Sequence, residues 1–132
     1  MRKNNTPSLP VPTEADEQIA LFEWAALQSG RCPELALLYH VPNGGSRNKI
    51  EAARLRAQGG KSGVPDLCLP VARGGNHGLY IELKRQRGGR ISEEQVRWID
   101  GLLDQGYASA ICKCCHEAAI VIIDYLQRKT EG

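Results

Sequence analysis

Two stretches decide the fold: Gly63-Val64-Pro65-Asp66-Leu67-Cys68-Leu69-Pro70 and, after the turn Arg73-Gly74-Gly75-Asn76-His77-Gly78, Leu79-Tyr80-Ile81-Glu82-Leu83-Lys84. Each is a short apolar run bounded by Pro or Gly, and the Gly-rich link makes them an antiparallel hairpin. In the second run the alternation puts Leu79, Ile81 and Leu83 on one face and Tyr80, Glu82 and Lys84 on the other. If the first run pairs beside it, Asp66 brings a second carboxylate to Glu82. Two carboxylates held together either share a proton or hold a cation. Hard oxygen ligands select Mg²⁺ or Mn²⁺, and such an ion can activate a water for phosphodiester hydrolysis. On pattern alone, Glu82 and Lys84 equally describe a solvated strand face, with Asp66 closing a turn.

Working outward, Thr13 caps a helix with an acidic first turn (Glu14, Asp16, Glu17), Ala15, Ile19, Phe22 and Ala26 recur at helical spacing, and Gly30 stops it. Glu17 sits at the edge of this apolar face, where it can turn inward. Leu35–Val41 reads as a strand running into the turn Pro42-Asn43-Gly44-Gly45, and Asn48–Gln58 as a short helix ended by Gly59-Gly60. Ser92 and Gln95 form a capping-box pair opening a helix with Val96, Ile99, Leu102 and Leu103 as its apolar face, ended by Gly106. Tyr107–Cys112 is a fourth strand, and Glu117–Gln127 a closing helix. This order implies an α/β domain: a small central mixed sheet flanked by helices. Residues 1–12, with three prolines and no periodicity, read as a flexible arm, and 13–132 as a single domain.

The 132 residues carry a formal charge of +2, which says little about partners. Its distribution says more. Arg47, Lys49, Arg54, Arg56 and Lys61 enclose one acid, Glu51, and Lys84, Arg85, Arg87 and Arg90 enclose none, whereas Glu14–Glu34 holds five acids and one base. Gathered cations of this kind suit a phosphate-binding surface. No apolar run approaches a membrane span and no export signal opens the chain, so a cytoplasmic protein is expected. The cysteines at 32, 68, 112, 114 and 115 are odd in number and unevenly spaced, which reads as reduced thiols. Cys112-Lys113-Cys114-Cys115-His116 contains the haem-attachment spacing, but without an export signal it reads as a strand end, and neither haem nor structural zinc is expected.

Gly63-Val64-Pro65-Asp66-Leu67, Tyr80-Ile81-Glu82-Leu83-Lys84 and Ser92-Glu93-Glu94-Gln95-Val96-Arg97-Trp98 together resemble the virus-type replication-repair nuclease (VRR-NUC) family of the PD-(D/E)xK superfamily. The resemblance extends from about residue 14 to about 126. It implies a restriction-endonuclease-like core and a metal-dependent endonuclease acting on DNA. By the same resemblance, Asp66 and Glu82 match the metal-binding carboxylates, the Leu83 carbonyl a third ligand, and Lys84 the catalytic lysine. Glu17 matches the acid that the superfamily's first helix supplies, and Gln95 a positioning residue close to the site. Arg85-Gln86-Arg87-Gly88-Gly89 departs from the loop of larger relatives, which bears on how a strand is gripped and not on the metal site. Arg47, Lys49, Arg54, Lys61, Arg85, Arg87 and Arg90 are the expected phosphate contacts. Stand-alone members resemble Holliday-junction resolvases, so a homodimer cutting branched DNA is expected, with Ala118–Leu126 as either an interface or core. A nuclease for flaps or nicks and a catalytically idle DNA-binding module are the rivals.

Overall fold

A computed structural model describes residues 10–42 and 48–130. The turn read at Asn43-Gly44-Gly45, and most of the arm read over 1–12, lie outside these residues. Helix α1 (Glu14–Gln28) opens on a reciprocal capping box: Asp16 N donates to Thr13 Oγ1 at 3.1 Å, and Thr13 N to Asp16 Oδ2 at 3.0 Å. Those bonds hold the Asp16 carboxyl below its ordinary pKa. The inner face of α1 is Glu17, Leu21 and Ala25, not the Ala15–Ile19–Phe22–Ala26 face read from spacing, and Ile19 is 58% exposed. Apolar residues occur on most sides of this helix, so periodicity alone cannot choose the side that meets the core.

Leu35–Val41 is not one strand. Pro33, with its fixed φ and missing N–H, opens a 3₁₀ helix over Pro33–Leu37, which turns Leu35 and Leu38 inward, and only Tyr39–His40 pairs, as β1. Helix α2 (Lys49–Ala57), capped by Asn48, buries none of its residues. The two deciding stretches form β2 (Leu67–Leu69) and β3 (Leu79–Leu83). At their link, Arg73 and Asn76 exchange backbone hydrogen bonds of 3.1 and 2.8 Å around Gly74 and Gly75, both at positive φ. That is the hairpin turn that glycine makes without strain. Helix α3 (Glu93–Asp104) carries the expected Ser92/Gln95 capping box. Of its expected apolar face, only Leu102 is buried, whereas Val96 and Leu103 remain about half exposed. Strand β4 (Ala108–Cys112) and helix α4 (Cys115–Leu126) complete the chain.

The sheet order is β1-β2-β3-β4, with β1, β2 and β3 antiparallel and β4 parallel to β3. Leu67, Leu69, Leu79, Ile81, Leu83 and Cys112 face one way and are buried with Leu21 and Ala25 of α1 and with Ala118, Ile122 and Tyr125 of α4. Tyr125 Oη anchors α4 by donating to the Val71 carbonyl at 2.5 Å. Helix α4 is therefore core along its inner face, leaving Ile120 and Ile123 outward. The opposite sheet face carries Tyr80 and Glu82, and α3 lies on that side, because Gln95 reaches Glu82 there.

Candidate active site

The register that pairs Leu67 with Ile81 sets Asp66 across from Glu82. Asp66 N donates to Glu82 Oε2 at 3.2 Å, and Asp66 Oδ2 accepts from Leu83 N at 2.9 Å. The two carboxylates are thus tied to each other's strands. The loop before Asp66 docks on the start of α3: Gly63, at φ +90°, lies so close to the Glu94 backbone that a Cβ there would come within 2.8 Å, and Ser62 Oγ donates to Glu94 Oε2.

Gln95 joins α3 to the strand. Its Nε2 donates to Glu82 Oε1 at 2.7 Å, and its Oε1 accepts from Lys84 Nζ at 3.1 Å and from Ser92 N at 2.9 Å. Lys84 Nζ also pairs with Glu82 Oε1 at 3.3 Å. Glu82 and Lys84 are only 2% and 8% exposed, so this is no solvated strand face. Burial, reinforced by the Asp66 charge and opposed by Lys84, pushes the Glu82 carboxyl up to about 7.

The donor set fits a hard divalent cation. Asp66 and Glu82 offer oxygens only, side by side, with Leu83's backbone between them. Among the described residues no group of three or more acidic, His or Cys side chains lies close enough to hold an ion. Two carboxylates completed by backbone, water and substrate phosphate is the pattern Mg²⁺ prefers. Glu17 stands apart from the pair. It is buried, its Oε2 has no hydrogen-bond partner, and it faces the Cys115 thiol, whose pKa rises through burial and through the Glu17 charge. Nothing in the sequence marks that contact, since the two residues are far apart in the chain.

Of the expected phosphate contacts, Lys49 and Arg54 lie exposed on α2, Lys61 just beyond it, and Arg85, Arg87 and Arg90 on the exposed loop after Lys84. Arg47 lies outside the described residues. The five cysteines are free thiols. Cys112 is buried, its pKa pushed up to about 11 by burial, and the Cys114 sulfur caps α4 by accepting from Glu117 N. A recess of about 340 Å³ lined by Arg97, Trp98, Gly101, Leu102 and Gln105 sits on α3 and includes none of the carboxylate-site residues.

A mixed sheet flanked by helices, with an Asp–Glu pair and a lysine at the end of its hairpin, defines a protein of the PD-(D/E)xK nuclease type. The VRR-NUC domain family matches residues 13–115, and the chain belongs to that family, whose members are nucleases. A solved structure described as a VRR_NUC domain protein is similar at 31% identity and a TM-score of 0.78, covering 92% of this chain and 93% of that one. No curated protein matches the chain. No helix among the described residues is long and apolar enough to cross a membrane.

Proposed function

We propose that this chain is a metal-dependent, structure-selective DNA endonuclease that works as a homodimer on four-way junctions. The observation that carries the reading is the apposition of Asp66 and Glu82 through Glu82 Oε2, with Lys84 paired to the other Glu82 oxygen, Oε1. In this reading Asp66, Glu82 and the Leu83 carbonyl hold Mg²⁺ or Mn²⁺, and Glu17, which stands apart beside Cys115, is not one of the ligands, contrary to the expectation from the resemblance. The bound cation supplies Lewis acidity to a phosphate oxygen and to a water. Lys84, held by Glu82 and Gln95, orients the attacking water and offsets charge as the phosphorus–oxygen bond breaks. Gln95 keeps the carboxylate and the ammonium in register.

The cations on α2 and on the loop after Lys84 grip the phosphates in this reading, and a two-fold pair of sites supplies the two symmetric cuts a junction needs. The test is a gel assay with Mg²⁺, Mn²⁺ or chelator across a four-way junction, a flap, a nick and linear duplex. Paired, metal-dependent cuts at the junction are the expected result. Preference for a flap or nick would move the substrate assignment, equal cutting of linear duplex would end the structure-selective reading, and binding without cleavage would leave an idle binding module.

A further inference from the structure

On the sheet face that carries Glu82, one row of side chains crosses all four strands: Tyr39 pairs with Cys68, Cys68 with Tyr80, and Tyr80 with Ser109. Tyr80 and Glu82 are two residues apart on β3, so the row runs about 7 Å from the carboxylate pair. The row is open at its Tyr39 end, while Cys68 is buried and Tyr80 is partly buried. Tyr39 and Tyr80 both contact the Cys68 thiol between them, which they seal, while Tyr39 itself stays 48% exposed. Tyr107 meets Tyr80 edge-on, with ring centroids 5.5 Å apart and planes at 77°, which fixes the inner ring. At the far end of the row, the Ser109 hydroxyl is buried without a partner.

We propose that Tyr39 and Tyr80 form a stacking floor for one unpaired nucleobase next to the phosphate that is cut. The proposal rests on the nuclease reading above and adds what selects the substrate. A base in intact duplex has both faces covered by its neighbours, so only a base that has left the stack can lie on this floor. The floor continues directly from the carboxylate pair, within the reach of a single nucleotide. Exposed cations on α2 and on the loop after Lys84 offer the phosphates of the same strand their countercharges. Stacking on aromatic rings is indifferent to base identity, so the result is selection for strands that part at the cut, whatever their sequence.

The test uses the whole chain with Ca²⁺ in place of Mg²⁺, and compares binding of a four-way junction, a flapped duplex and a fully paired linear duplex by fluorescence anisotropy. Tyr39→Leu should weaken junction and flap binding about tenfold and leave linear duplex unchanged, while Tyr39→Phe, which keeps the ring, should match the wild type. A 2-aminopurine at the branch point should lose fluorescence on binding the wild type and not on binding Tyr39→Leu. Equal weakening on all three DNAs, or none on any, overturns the floor. So does a fall from dimer to monomer in Tyr39→Leu with selectivity intact, which would make this face a contact between copies. If the wild type cuts no DNA with Mg²⁺ or Mn²⁺, the nuclease reading falls and the floor with it. If the wild type cuts and Tyr39→Leu is unchanged, only the floor falls.

Discussion

Gln95 Nε2 lies 2.7 Å from Glu82 Oε1, while the same side chain closes the capping box of α3 through Ser92 N. One amide thus couples the start of a helix to a buried carboxylate. Gln95→Ala removes these two bonds and the one from Lys84 Nζ, and leaves Lys84 with Glu82 alone. Metal affinity and cleavage should fall by about 10- to 100-fold, as for other residues that orient a ligand. The lost cap should cost about 1 kcal/mol, read as a lower melting temperature. Mn²⁺ titration and thermal melting check the two effects separately.

Glu82→Ala, Asp66→Ala and Lys84→Met should each abolish cleavage to within assay background. Of these, Lys84→Met should retain cation binding, because it removes no oxygen ligand. Calorimetric Mn²⁺ titration of the three variants, set beside the gel assay, distinguishes the roles. Unchanged activity in Glu82→Ala would refute the assignment of the site.

The Glu82 carboxyl, raised from 4.5 to about 7 chiefly by burial, sets a pH dependence. Between those values the folded, metal-free protein holds more protons than the unfolded chain. Its contribution to stability is complete below about pH 4.5 and is lost as pH rises through 7. Denaturation in chelator at several pH values should show this decline, and Glu82→Gln should flatten it. A cation needs the ionised carboxylate, so Mn²⁺ affinity should weaken as pH falls below about 7.

Gly63 has φ +90° and sits against the Glu94 backbone. Gly63→Ala should cost about 1–3 kcal/mol, from the strained backbone together with the clash. The change should also loosen Asp66, three residues on. Melting temperature reads the first effect and Mn²⁺ affinity the second. Gly75→Ala shares the positive φ but has open space around its added Cβ, so it isolates the backbone term.

Lys49, Arg54 and Lys61 are exposed on and beside a helix with no buried residue. Replacing each with Gln should weaken DNA binding uniformly across DNA structures. The slope of log affinity against log salt should become shallower by about one unit per cation removed. Anisotropy titrations over a range of NaCl concentrations measure it. The melting temperature should stay unchanged, since these side chains support no packing.

Much of the architecture was legible from short-range patterns. The Gly74-Gly75 hairpin, the Ser92/Gln95 cap and the Tyr80–Glu82–Lys84 alternation are each set within a few residues, by turn dihedrals, capping or the two-residue pleat. The elements that misread were those where local signals compete. Leu35–Val41 is apolar enough for a strand, but Pro33 starts a 3₁₀ turn, and α1 has apolar residues on several sides.

The sequence by itself determined the order of helices and strands, the side of β3 that carries Glu82 and Lys84, and the clusters of cations. Only the tertiary structure decided that Asp66 stands across from Glu82, that Gln95 reaches both Glu82 and Lys84, that Glu17 turns in against Cys115, and that Tyr39 joins Tyr80 over Cys68. The reason lies in range. Periodicity, caps and turns act over one or two turns of chain, whereas these contacts join residues 11 to 98 positions apart. They follow from which apolar faces bury the most area together and from the strand register that burial enforces.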